Sequence, residues 1–123
     1  MPLEHGARLS AVELLQTLHR PDEALVLAQE GLRVAPEAGA PHVVYGMALA
    51  GRGRMREALQ QLRTGQSYFE SDPGEQAHIE SLVRVLRARA PDSLRAVFRA
   101  DSLQAAAARA ARDSITARNR RKR

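Results

Sequence analysis

The sequence has no cysteine and no tryptophan. The first absence excludes disulfide frameworks, thiolate metal sites and thiol catalysis. Only four aromatics occur, Tyr45, Tyr68, Phe69 and Phe98, and isoleucine appears only at positions 79 and 115. Strands favour β-branched and aromatic side chains, so this scarcity argues against sheet. No run of period-two alternation is present either. No apolar run approaches the length of a membrane span. Lysine and asparagine occur once each, as Lys122 and Asn119. Residues 1–7 lack the charged start and apolar stretch of a secretory signal, so the expected location is the cytoplasm.

The chain does have alanine (22 residues) and leucine (15) in a length of 123, with 44% apolar residues overall. This suits one domain, excludes wholesale disorder and predicts an all-α fold with a core of small aliphatic side chains. Proline and glycine divide the chain at intervals. Ala11, Leu15 and Leu18 share one face of a first helix that ends at His19-Arg20-Pro21. Further helices are predicted over about 21–34, 41–51, 54–69 and 74–89. Ser71 or Asp72 is positioned to cap the last of these. From residue 92 onward there is neither Gly nor Pro, and Leu94 to Thr116 reads as one long helix or two short ones.

The chain also repeats itself. Glu23-Ala24-Leu25 and Glu57-Ala58-Leu59 lie 34 residues apart, and Leu15 aligns with Leu49. With Gly46, Gly53, Met55, Gly31 and Pro36 in register, the chain resembles the tetratricopeptide repeat family. There are departures. His19 stands where the inter-helix glycine belongs, Val12 where a small residue belongs, and Ala28 where a large one is usual. Pro73 closes the second unit three residues late. The resemblance implies a right-handed α-solenoid of antiparallel helix hairpins over residues 5–104. Its units are 5–38, 39–73 and a degenerate 76–104, followed by a C-terminal capping helix. An Ala-rich extension would span 105–117 and a basic tail 118–123.

It further implies a non-catalytic module that holds a peptide or partner helix in a concave groove. By residue matching, that groove takes Leu9, Glu13 and Gln16 from the first unit and Val43, Met47 and Ala50 from the second. The third would add Glu80, Arg84 and Arg87. Val43 and Met47 have the alternative of being ordinary core. The family's clamp for C-terminal carboxylates uses several Lys and Asn, which this chain lacks.

Few residues suggest other chemistry. His5, His19, His42 and His78 have no metal-ligand spacing, and no cofactor is expected. Gly51-Arg52-Gly53-Arg54 follows a helix and lacks the Lys-Ser/Thr of a phosphate loop. It does gather Arg52, Arg54, Arg56 and Arg63 into a local basic cluster. Carboxylate pairs such as Asp22-Glu23 sit at helix starts, where the helix dipole accounts for them. No catalytic residue is expected.

Charge is unevenly placed. Residues 1–90 carry ten Arg against eleven Asp and Glu, while residues 91–123 carry nine Lys and Arg against three Asp. The net +5 therefore belongs to the C-terminal end. Arg118, Arg120, Arg121, Lys122 and Arg123 offer an alternative function, binding nucleic acid or an anionic surface. No aromatic interleaves them, so stacking on bases is not indicated. Self-association through the Ala-rich helix is a third expectation.

Overall fold

The computed structural model describes residues 4–122. They form six α-helices and one short 3-10 turn, with no strand among the described residues. The helices are α1 (His5–Thr17), α2 (Pro21–Val34), α3 (Gly39–Gly51), α4 (Met55–Ser67), α5 (Pro73–Arg89) and α6 (Arg95–Arg121). The 3-10 turn, Asp92–Leu94, precedes α6. The chain divides into two compact units, one ending at Ala90 and one beginning at Pro91.

In the first unit, α1 and α2 form a hairpin, as do α3 and α4. α3 also packs on α1 and α2, and α4 on α5. Val12, Ala24, Ala28, Val44 and Ala48 make a fully enclosed cluster where the first hairpin meets α3. α3 begins at Gly39, earlier than Pro41 suggests. Pro41 sits in the first turn, where a missing N–H loses no helical bond. Asp72 caps α5, its carboxylate accepting from the Glu75 N–H at 3.1 Å, and Pro73 follows at the first helical position.

The local geometry recurs with the same step as the sequence. α1 and α3 start at residues 5 and 39 and end at 17 and 51, a step of 34 at both ends. α2 and α4 start at 21 and 55, again 34 apart. His19 and Gly53 both take positive φ, 58° and 77°. At each, two backbone bonds close the preceding helix in a Schellman turn. Arg20 N donates to Leu15 O at 2.8 Å and His19 N to Gln16 O at 3.0 Å. Arg54 N donates to Leu49 O at 3.0 Å and Gly53 N to Ala50 O at 2.9 Å. Arg20 then pairs with Glu23 at 2.7 Å and Arg54 with Glu57 at 2.5 Å. The histidine at the glycine position has thus adopted the glycine's conformation. That region is costly for most side chains but several-fold enriched in His.

Two closely approaching glycines fix the crossing of the second hairpin. A Cβ on Gly65 would lie 2.9 Å from the Gly39 carbonyl oxygen, and one on Gly39 would lie 2.8 Å from the Gly65 carbonyl oxygen. The backbones meet there with no room for a side chain.

In the second unit, α6 is one continuous helix of 27 residues. It runs without a break through Asp101-Ser102, where the sequence offered a restart, and through the expected boundaries at 104 and 117. The absence of Gly and Pro and the high helix propensity of alanine account for its length.

Candidate functional site

One helix position carries a polar side chain in three alternate helices, α1, α3 and α5, at residues 8, 42 and 76. Arg8 is 3% exposed and lies across Gly31, where a Cβ would meet its Cδ at 2.6 Å. Its Nη1 donates to Leu27 O at 3.1 Å, and Glu30 lies 3.9 Å away. His42 Nε2 donates to Pro36 O at 2.9 Å, and its Nδ1 lies 2.9 Å from the Gln61 side-chain amide. The ring stacks on Tyr68 with centroids 5.5 Å apart. Gln76 Nε2 donates to Phe69 O at 2.7 Å and Gln66 O at 3.1 Å. All three side chains join a helix to the segments packed beside it, so they are structural ties.

The basic cluster around the α3–α4 turn is largely paired with carboxylates. Arg52 meets Asp22 at 3.1 Å, and Arg54 is held by Glu57. Arg63 pairs with Glu80, one of its contacts being 3.1 Å to Oε2. The hydrogen bond from Arg54 holds the Glu57 carboxyl below the usual carboxylate range, outweighing desolvation. Paired guanidinium groups make a poor anion site. No group of three potential metal ligands gathers among the described residues.

The expected groove residues separate into three sets. Val43, Met47 and Ala50 are 5, 8 and 9% exposed, which makes them interior residues and corrects the expectation of an open face. The reason lies in α3: Gly39, Pro41, Val43, Val44, Gly46, Met47, Ala48, Leu49 and Ala50 are all buried, as in a helix apolar on every side. Leu9 is half-buried against the Val12 cluster, and Gln16 Nε2 donates to Met47 O at 2.9 Å. Glu80 is taken up by Arg63. Glu13, Arg84 and Arg87 remain exposed, with Arg84 Nη2 donating to Ser81 Oγ at 2.9 Å.

Of the basic tail, Arg118, Arg120 and Arg121 lie in the last turn of α6 and Lys122 follows it, all four exposed. Arg123 lies outside the described residues. Cations suit a helix C-terminus, whose dipole end is negative. Leu103 and Ile115 are exposed on the same helix.

Sequence reasoning passed over two features. Arg8 falls on the buried stripe of α1 by its spacing from Val12 and Leu15, a signal that was present. Leu18, which shares a helix face with Ala11 and Leu15 by its spacing, is 53% exposed, and Leu14 is 58% exposed. No helix among the described residues is long and apolar enough to cross a membrane. No protein-family model matches the chain, and no curated protein or solved structure is significantly similar to it.

Proposed function

We propose that this chain is a non-catalytic protein-interaction module, a right-handed helical array of the tetratricopeptide kind that binds a peptide or partner helix. One observation carries the reading. The starts of both helix pairs, the positive-φ turns and the Arg–Glu pairs recur at a step of 34 residues. A hairpin of this length cannot enclose its own apolar face, so its neighbours must stack. Stacked hairpins present a continuous side-chain surface.

With Val43, Met47 and Ala50 inside, recognition falls to the exposed members of the set, Glu13, Arg84 and Arg87. Two arginines one turn apart on α5 suit a peptide bearing carboxylates. Selection from a displayed peptide library on the full chain should enrich acidic sequences. The Arg84→Glu/Arg87→Glu variant, with unchanged circular dichroism, should bind the selected peptide at least about tenfold more weakly, about 1.4 kcal/mol. Absence of enrichment, or equal binding by the folded variant, would overturn the reading.

A second reading, nucleic-acid or anionic-surface binding, draws on the exposed Arg118, Arg120, Arg121 and Lys122. It predicts binding of a labelled DNA duplex that falls steeply between about 50 and about 200 mM salt. Removing residues 118–123 should abolish that binding. Retention by the truncated chain excludes this second reading.

A further inference from the structure

We infer that α6 is a peripheral membrane-binding helix that lies along a bilayer surface rich in anionic phospholipid. The inference rests on the second reading, binding through the basic end of the chain, and names the partner.

Charge is sorted around this helix. Successive residues turn by about 100°, from 3.6 residues per turn. Between Arg95 and Thr116 the charged residues are Arg95, Arg99, Asp101, Arg109, Arg112 and Asp113. By that rotation all of them fall on one half of the circumference. The opposite half carries no charge, and its Leu103, Gln104, Ala107, Ala111, Ser114 and Ile115 are all exposed. Leu103 is 66% exposed and Ile115 56%. Phe98, the side chain that α6 does bury, lies on the charged half. Leu103 and Ile115 therefore take no part in that packing, and the uncharged half stands open.

The charge names the partner. Residues 95–123 carry nine Lys and Arg against two Asp, a net +7. Two copies bearing that charge repel each other, which disfavours pairing of α6 with α6. Duplex DNA would answer the charge through its phosphates and leave Leu103 and Ile115 without an apolar phase. An anionic bilayer answers both, with the apolar side chains at the acyl boundary and the guanidinium groups among the lipid phosphates. Arg99 and Arg112 flank the uncharged half on opposite sides, where their stems can lie along it while the charged ends reach the headgroups. Arg118, Arg121 and Lys122 continue the same half beyond Ile115 and are exposed. Alanine adds little apolar area, so attachment depends on the lipid charge. The helix lies in the surface, since no helix among the described residues is long and apolar enough to cross a membrane.

The absence of native tryptophan allows a depth probe in the full chain. Vesicles of phosphatidylcholine, with and without phosphatidylglycerol, serve as the membrane. Wild type should co-sediment with the anionic vesicles and stay in solution with the neutral ones. Ile115→Trp fluorescence should shift to the blue on binding. Ala106→Trp, exposed on the charged half, should show no such shift. Leu103→Gln/Ile115→Gln leaves the charge unchanged and, at wild-type helicity, should weaken vesicle binding at least about tenfold. The proposal is overturned by absence of binding to the anionic vesicles, or by equal binding to the neutral ones. It is equally overturned by a folded glutamine variant that binds like wild type, or by equal blue shifts at positions 106 and 115. Binding to a labelled DNA duplex with none to anionic vesicles overturns the bilayer and leaves the second reading standing. Binding to neither overturns both.

Discussion

Leu62→Ala is expected to lower the stability of the chain by about 2–5 kcal/mol. Leu62 is fully buried. Its side chain fills the space over Gly46, where a Cβ would meet Leu62 Cγ at 3.1 Å. In the first hairpin the equivalent positions are Val12 and Ala28, also fully buried and in one cluster. The two hairpins divide the same volume differently. Val12 with Ala28, and Gly46 with Leu62, each bring four side-chain carbons. Val12 and Ala28 are thus a compensating pair. Truncating Leu62 leaves a cavity of about three carbons beside Gly46. Adding Gly46→Val to Leu62→Ala restores the first hairpin's arrangement and should recover a large part of the loss, a coupling expected only between neighbours. Urea unfolding followed by circular dichroism measures both. Single and double variants of equal stability would contradict the shared volume.

Gly65→Leu is expected to cost about 3 kcal/mol. Replacing a helical glycine ordinarily gains up to about 1 kcal/mol from propensity. Here the new Cβ would meet the Gly39 carbonyl oxygen at 2.9 Å and Val43 Cγ2 at 3.0 Å. A backbone oxygen cannot swing aside as the end of a flexible side chain does, so the helices must separate along their contact. Gly6→Ala provides the contrast. Gly6 is also helical, and nothing lies within 4 Å of a Cβ placed there. That substitution should stabilise the chain by a few tenths to about 1 kcal/mol. The opposite signs, read from denaturation midpoints, separate a crossing glycine from an idle one.

The helical class was legible from the sequence because Ala and Leu dominate while β-branched and aromatic residues are scarce. Pro21 and Asp72 marked helix starts because each acts through its own backbone geometry or cap. Exposure was harder to read. Periodicity places Val43 and Leu14 on apolar stripes alike, yet the first is interior and the second open. Only the neighbouring helix decides between them, and α1 has a hairpin on one side alone within its unit. Arg8 was missed because long charged side chains are ordinarily solvated. Its burial follows from Gly31, whose missing side chain leaves room for the guanidinium stem. His19 shows the converse. The glycine pattern failed at that residue while the turn geometry survived, because two backbone bonds hold His19 in the left-handed conformation.

The most direct test of the stacked, 34-residue arrangement is a methyl NOE experiment on the full chain. It should show contacts from the methyls of Val12, Ala24 and Ala28 to those of Val44 and Ala48. Those contacts join the first hairpin to α3 and cannot arise within either hairpin alone. Strong contacts within each hairpin, with none between the first hairpin and α3, would contradict the account.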